Sequence, residues 1–162
     1  MEGTHSPESI SHSVSLRRAS PEDLNFLFTV STEAMRPVIE TLNPDKVFNR
    51  EEELKKYKEK FKPEDIEVIQ YGGQDVGRLR VVRSNESIYV GGIQILPEYQ
   101  RQGIGSAIFS DLISESEQTG LPIILEVHDV NEQARSFYQK LGFQEGEQVN
   151  DQKIMKYIPK HS

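Results

Sequence analysis

The segment that most constrains the fold is a glycine turn, "PEYQRQGIGS", which occupies residues 97–106. It follows the apolar run Ile93–Leu96, which is typical of a buried strand, and precedes helical apolar spacing from Gly103 to about Gln118. Gly103 and Gly105 remove side chains where the first amides of a helix have no intrahelical partner. Those amides and the helix dipole favour an anion such as a pyrophosphate. A turn that only lets the helix pack closely on the sheet explains the same glycines.

Two familiar phosphate-binding motifs do not fit this turn. A P-loop places a lysine directly after its last glycine, and no lysine follows here. The dinucleotide fingerprint G-x-G-x-x-G/A needs glycine or alanine at its last position, which is Ile108 in this chain. The turn therefore predicts a phosphate site of another kind, or none.

The rest of the pattern predicts three antiparallel strands followed by a strand–helix–strand–helix unit, and hence a mixed α/β domain. Helix starts are predicted at Ser20, with Pro21 in the first turn, and at Asn49. Residues 1–13 are expected to form a flexible tail and residues 14–162 a single domain. The second helix of the unit is predicted at Glu132–Lys140. Strands are predicted at Val14–Arg18, Ile66–Tyr71, Val76–Arg83, Ile88–Leu96 and Pro122–His128, with a last strand near Lys153–Ile158.

Composition excludes several classes of protein. A net charge of −7 repels phosphate backbones, so no nucleic-acid partner is expected. The chain has no cysteine, which excludes disulfides, thiolate metal sites and a cysteine nucleophile. Its four histidines show no metal-ligand spacing, so no metal is expected. No apolar run reaches the roughly 18 residues of a membrane span, and no secretory signal is evident, which favours a cytoplasmic protein without a membrane partner.

Two segments together resemble the GNAT superfamily of acyl-CoA-dependent N-acetyltransferases. The first is "IQILPEYQRQGIGSAIFSDLI", residues 93–113, in which Gln100, Gly103 and Gly105 match the motif Gln/Arg-x-x-Gly-x-Gly/Ala. The second is "LEVHDVNEQARSFYQKLGF", residues 125–143, which matches the later motif of strand, Asn, Ala, Phe/Tyr-Tyr, Lys and Gly-Phe. The resemblance implies one domain with a mostly antiparallel twisted sheet of six or seven strands. About four helices would flank this sheet, which would splay between its fourth and fifth strands.

The resemblance also implies acetyl-CoA as co-substrate and assigns the residues that bind it. The backbone of Ile93, Gln94 and Ile95 would pair with the pantetheine arm as an added strand would. Asn131 would hydrogen-bond the cofactor near the pantetheine or thiol end. The pyrophosphate would lie on the amides of the turn, from Arg101, Gln102, Gly103, Ile104, Gly105 and Ser106.

Acetyl transfer to an amine benefits from a base and from a donor to the leaving thiolate. In the resemblance, Tyr138 stands beside the sulfur as the donor, although helical spacing also allows it to be a core residue. Glu126 is the candidate base, because some protein N-terminal acetyltransferases of this family have a glutamate in the same "LEV" context. A half-exposed strand glutamate is the alternative, and His128, on the same strand face, is a second candidate base.

One departure from the family leaves the amine side open. Many of its members have an acidic base on the strand before the turn, whereas residues 89–94, "YVGGIQ", contain no acid. The base is then Glu126, His128, a chain of water molecules, or no dedicated group. The first hypothesis is direct acetyl transfer in a ternary complex to a small-molecule or protein amine. The alternatives are a non-catalytic acyl-CoA sensor and a phosphate-binding structural domain. The sequence allows a monomer or a homodimer.

Overall fold

The structure is a computed structural model that describes residues 13–160. All but one residue of the predicted N-terminal tail therefore lie outside the described part of the chain. The strands are β1 (Val14–Arg18), β2 (Ile66–Tyr71), β3 (Gln74–Arg83), β4 (Ile88–Ile95), β5 (Ile123–His128), β6 (Gln144–Val149) and β7 (Gln152–Tyr157). The helices are α1 (Leu24–Leu42), α2 (Arg50–Lys60), α3 (Ile104–Thr119) and α4 (Glu132–Lys140), with short 3-10 helices at Pro21–Asp23, Pro63–Asp65 and Pro97–Tyr99.

The strands form one seven-stranded sheet in the order β1-β2-β3-β4-β5-β7-β6. This confirms the predicted mixed α/β class and the mostly antiparallel sheet. Strands β4 and β5 are a parallel pair, which requires a crossover connection, and α3 supplies it. Their ladder covers only residues 88–90 of β4 and 123–125 of β5.

Both predicted helix starts are confirmed. The Asp23 carboxylate accepts the Ser20 amide at 2.9 Å, and α1 continues directly from the 3-10 turn after Ser20. The Asn49 side chain accepts the Glu52 amide at 3.1 Å and caps α2.

Strand β6 was not predicted. Its sequence, "QEGEQV", has no apolar alternation, and all six residues are exposed. It pairs with β7 as the edge of the sheet, with a register irregularity between Glu145 and Gln148. An exposed edge strand need not present an apolar face, so the sequence pattern does not distinguish it from a polar loop.

The chain divides into two compact units, and the first consists of the chain up to Arg80 together with Ile93–Phe109. In its core, Leu27 of α1 packs with Ile66 and Val68 of β2, and Tyr57 of α2 packs against them. The Tyr57 ring also contacts Phe28 edge-on and stacks on Phe61, with centroid distances of 5.5 and 5.7 Å. This unit contains the glycine turn.

The second unit consists of Val81–Gly92 and the chain from Ser110 onward. In β5, the side chains of Ile123, Leu125 and Val127 are at most 5% exposed, which confirms that they share one buried face. The aromatic rings of Tyr138, Phe143 and Tyr157 follow one another at centroid distances of 5.5 and 5.8 Å. This unit therefore has an aliphatic and an aromatic core of its own.

Candidate active site

The glycine turn of the first unit has two residues in the left-handed backbone region. Gly103 has φ of +86° and Arg101 has φ of +63°. Glycine adopts such a conformation without strain, whereas a non-glycine residue there is uncommon and stores strain. Strained backbone of this kind concentrates at functional sites. Gly103 is thus required by the shape of the turn, while Gly105 lies within the first turn of α3.

The turn presents a run of backbone amides without hydrogen-bond partners in the described part of the chain. The first amide of this region bonded to a carbonyl is that of Ala107, which donates to Gly103 at 3.0 Å. None of the amides from Arg101 to Ser106 makes such a bond. The Ile104 side chain is buried, so this residue can offer an anion only its amide. The amides lie at the start of a 16-residue helix, where the dipole favours a negative charge.

Side chains fix the shape of this turn. Gln100 donates through Nε2 to the Ile95 carbonyl at 2.9 Å, which ties the turn to the end of β4. Gln102 donates to the Glu98 carbonyl at 3.0 Å. The Tyr99 hydroxyl donates to Gln74 of β3 at 2.7 Å. Three side-chain hydrogen bonds therefore fix the turn, and none of them involves the backbone amides from Arg101 to Ser106.

The C-terminal end of β4, Ile93–Ile95, belongs to the same unit as the turn. The Leu96 amide donates to the Val76 carbonyl at 2.9 Å, so β3 follows β4 to its end. A Cβ added at Gly77 would lie 2.5 Å from the Gln94 carbonyl oxygen, so the two backbones approach closely there. The Gln94 side chain, to which the sequence assigned no role, accepts a hydrogen bond from Arg78 Nη1.

Asn131 of the second unit has a structural task that the sequence analysis did not assign. Its side-chain oxygen accepts the Ala134 amide at 3.2 Å and caps α4. Its own amide donates to the His128 carbonyl at 2.9 Å. The cap orients the side-chain NH2 group and leaves it as the donor available to a ligand. The cap uses one lone pair of the side-chain oxygen and neither N–H group of the side-chain nitrogen.

Tyr138 lies on α4 and is buried, with 9% of its surface exposed. Its ring packs against Phe137 and Phe143 at centroid distances of 5.3 and 5.5 Å. Burial raises the pKa of Tyr138 to about 12, because a phenolate is poorly solvated there. The hydroxyl therefore stays protonated at neutral pH and can donate a hydrogen bond.

Glu126 is exposed on the face of β5 that also carries Ile124 and His128, which confirms the predicted alternation. One of its carboxylate oxygens accepts a hydrogen bond of 2.8 Å from the Tyr89 hydroxyl of β4. The sequence analysis missed Tyr89 because this contact depends on the register of the parallel pair, in which Tyr89 lies opposite Ile124. The phenol orients the carboxylate and holds one of its lone pairs.

His128, the second candidate base, is half-buried at the end of β5. Its Nδ1 atom is buried and has no hydrogen-bond partner among residues 13–160. The Asp151 Oδ2 atom lies 3.8 Å from Nδ1. An imidazole without an orienting hydrogen bond has no fixed tautomer.

Within residues 13–160 there is no cluster of three or more histidine, aspartate or glutamate side chains placed to hold a metal ion. No helix in the same stretch combines the length and apolar character that crossing a membrane requires.

The fold and the two motifs define an acyl-CoA-type acetyltransferase scaffold, and comparison with known proteins gives the family. Residues 35–143 match the acetyltransferase (GNAT) family, and the chain belongs to that family. It is 44% identical over 54 residues to the [ribosomal protein bS18]-alanine N-acetyltransferase of Escherichia coli strain K12. That match covers 33% of this chain and 36% of the relative, so the chain spans about a third of the curated relatives it matches.

Solved structures agree with the fold over almost the whole chain. The PaiA N-acetyltransferase of Thermoplasma acidophilum, in complex with coenzyme A, has a TM-score of 0.69 at 21% identity, covering 90% of this chain and 99% of that one. The E. coli ribosomal-protein-S18-alanine N-acetyltransferase has a TM-score of 0.63 at 21% identity, covering 92% and 96%. Arabidopsis thaliana Naa50, with the bisubstrate analogue CoA-Ac-MVNAL, has a TM-score of 0.57 at 21% identity, covering 90% and 98%.

Proposed function

We propose that this protein transfers an acetyl group from acetyl-CoA to a primary amine. The observation that carries the proposal is the run of unpartnered amides from Arg101 to Ser106 in a chain of the GNAT family. In this proposal those amides bind the pyrophosphate of acetyl-CoA, with the Arg101 side chain and the Ser106 hydroxyl beside it. The backbone of Ile93–Ile95 binds the pantetheine amides by strand addition, and Asn131 donates from its side-chain nitrogen.

The reaction proposed is a direct transfer between two bound substrates. The neutral amine attacks the thioester carbonyl carbon, a C–N bond forms, and the tetrahedral intermediate then loses the thiolate as the C–S bond breaks. The nitrogen loses one proton to a base, and the thiolate finally gains one. Because the chain contains no cysteine, the usual acyl-cysteine intermediate is not part of this scheme.

We assign Tyr138 to the leaving sulfur as a hydrogen-bond donor. A thiol has a pKa of about 8.5, well below the value of about 12 that burial gives Tyr138. Complete transfer of the phenolic proton to the thiolate is therefore unfavourable, whereas a hydrogen bond stabilises the thiolate as it forms. The proton that finally neutralises the thiolate comes from solvent in this scheme.

We assign Glu126 as the group that accepts the amine proton. Lysine-type amines have a pKa of about 10.4 and N-terminal amines one of about 7.7 to 8.0, so both are mostly protonated at neutral pH. The ammonium loses its first proton to solvent before the attack, and Glu126 accepts the second from the nitrogen of the tetrahedral intermediate. The hydrogen bond from Tyr89 occupies one carboxylate oxygen of Glu126 and leaves the other available. His128 remains the second candidate for this role.

The acceptor class is a small-molecule amine or the N-terminal amine of a protein. A protein acceptor is favoured by the alanine N-acetyltransferase similarity and by the bisubstrate peptide analogue that a structural neighbour binds. Because acetyl-CoA is the co-substrate, we also propose a cytoplasmic location.

Thiol release tests the proposal. Purified protein is mixed with acetyl-CoA and a panel of primary amines, including a peptide with an N-terminal alanine, and free thiol is measured. We expect release that depends on both substrates, a large loss in Tyr138→Phe, and no loss in Tyr71→Phe, a control tyrosine on β2 outside the assigned site. Binding of acetyl-CoA without release for any amine would favour the sensor alternative. Equal stabilisation by acetyl-CoA, ATP and NAD in a thermal-shift assay would favour a general phosphate-binding domain.

A further inference from the structure

Two arginines of β3 lie on one face of the strand without a counter-charge. Arg78 and Arg80 are two residues apart, so their side chains share a face. Across the ladder they oppose Val68 and Ile66 of β2, which are 0% and 6% exposed. Both arginines are themselves half-buried. The two guanidinium groups therefore extend from an apolar layer that offers them no charge.

Other half-buried arginines of the described chain are paired with carboxylates, whereas Arg78 and Arg80 are not. Arg17 is paired with Asp23 and Asp75, Arg83 with Glu115, and Arg135 with Glu145. Among residues 13–160, no aspartate or glutamate forms an ion pair with Arg78 or Arg80. Burial lowers the pKa of Arg78, and repulsion from Arg80 adds to this, but a guanidinium stays cationic at neutral pH. A buried cation without a partner is destabilising, so its retention needs a reason.

The free edge of Arg78 has the geometry of a carboxylate receptor. Its hydrogen bond to Gln94 uses Nη1, which leaves Nε and Nη2, the two parallel donors of the opposite edge. Nε is a buried atom without a hydrogen-bond partner among the described residues. The Tyr57 hydroxyl is likewise buried. It raises the pKa of Arg78 through a charge interaction and a weak hydrogen bond, and it has no other hydrogen-bond partner among the described residues. Several donors are therefore gathered at one place, where an acceptor-only group would satisfy them.

We propose that Arg78, assisted by Tyr57 and Arg80, binds a carboxylate carried by one of the two substrates. This proposal rests on the proposed acetyl transfer, and it restricts one of the two substrates to molecules that carry a carboxylate. The carboxylate belongs either to the acceptor, as in an amino acid or an acidic peptide, or to the acyl group, as in a dicarboxylic acyl-CoA. A planar carboxylate matches the side-on pair of N–H groups better than a neutral carbonyl does.

Paired substrates test the proposal and separate the two sources. In the acceptor arm, amino acids and dipeptides are compared with their carboxamides, with acetyl-CoA as the donor. In the donor arm, succinyl-CoA is compared with acetyl-CoA, with one neutral amine. A charge-assisted hydrogen-bond pair predicts a preference for the carboxylate of about 10- to 100-fold in kcat/KM in one arm. That preference, measured as the ratio of kcat/KM for the charged and the uncharged partner, should disappear in Arg78→Met.

Matched variants keep the test decisive. Arg18→Met removes an exposed arginine from β1 and should leave the preference intact. Arg78→Lys keeps the charge but loses the paired donors, so an intermediate preference is expected, and it serves if Arg78→Met fails to fold. Tyr57→Phe should reduce the preference without removing it.

The two proposals fail in different ways. If the wild type acetylates amines but shows no preference in either arm, or Arg78→Met keeps the preference, the carboxylate site is wrong and acetyl transfer stands. If the wild type neither binds acetyl-CoA nor releases thiol, acetyl transfer is wrong. The arginine site is then decided by thermal shift with succinate against succinamide. Stabilisation by succinate that Arg78→Met abolishes would support it, and equal effects would overturn it.

Discussion

Replacing Gly103 with alanine tests the turn most sharply, because its φ of +86° is a conformation that alanine adopts only with strain. The left-handed region costs an L-residue about 1 to 2 kcal/mol. The amides beside Gly103 have no hydrogen-bond partners among residues 13–160 that would hold them in place, so the alanine variant can relax by rotating them away. A ligand that needs the original orientation must then restore it. The strain should therefore appear in binding, as a Kd for acetyl-CoA raised roughly 5- to 30-fold.

Gly73 provides a matched control for this variant. Its φ is +83°, and a Cβ added there would meet no atom within 4 Å. It lies in the β2–β3 hairpin, whose flanking residues Tyr71 and Gln74 are paired and hold the turn in place. The strain in Gly73→Ala should therefore lower the free energy of unfolding. Calorimetry gives the Kd of each variant, and urea denaturation gives the free energy of unfolding. The reasoning is refuted if Gly103→Ala binds acetyl-CoA within twofold of the wild type.

Three further predictions address the second unit and the stability of the first. Tyr138→Phe should lower kcat about 10- to 100-fold by removing a hydrogen bond to the leaving thiolate, while the Kd for acetyl-CoA stays close to that of the wild type. An unchanged kcat in the thiol-release assay would mean that Tyr138 is only a core residue. Tyr89→Phe should lower kcat/KM several-fold in the wild type but have no further effect in Glu126→Gln, and additive losses would exclude action through Glu126. Hydrogen bonds from Arg17 lower the pKa of Asp23 and Asp75, so these carboxylates favour folding above their unfolded pKa of about 3.9 and lose that effect as pH falls through their lower folded values. Urea midpoints should therefore fall in acid, less steeply in Arg17→Met, and an equal slope in that variant would contradict this cause.

Most helices and strands of the fold could be predicted from the sequence because they depend on local sequence patterns. The apolar alternation of Ile123, Leu125 and Val127 predicts β5, and the caps at Ser20 and Asn49 predict where helices begin. Gly103 predicts the turn through a requirement of the backbone itself, since its φ is +86°. Strand β6 carries no such signal, because its formation depends on pairing with β7 rather than on burial of its side chains.

The parts of the candidate site that depend on register could not be predicted. The contact of Tyr89 with Glu126 requires knowing which residues of two distant strands lie opposite each other. The family resemblance implies that Asn131 is a cofactor ligand, but the sequence does not reveal that its side-chain oxygen caps α4. Arg78 looks like an ordinary strand arginine until the structure shows that no described carboxylate pairs with it. Local sequence patterns thus predict helices and strands, whereas the contacts of the candidate site depend on residues that are distant in the sequence.

Amide chemical shifts offer the most direct measurement of the central claim, that backbone N–H groups of residues 101–106 bind the pyrophosphate of acetyl-CoA. Spectra of 15N-labelled protein are recorded with coenzyme A and with pantetheine, which lacks the pyrophosphate. The account predicts large shifts of the Gln102–Ser106 amides with coenzyme A and small shifts with pantetheine. Saturating coenzyme A that leaves those amides unmoved would contradict it.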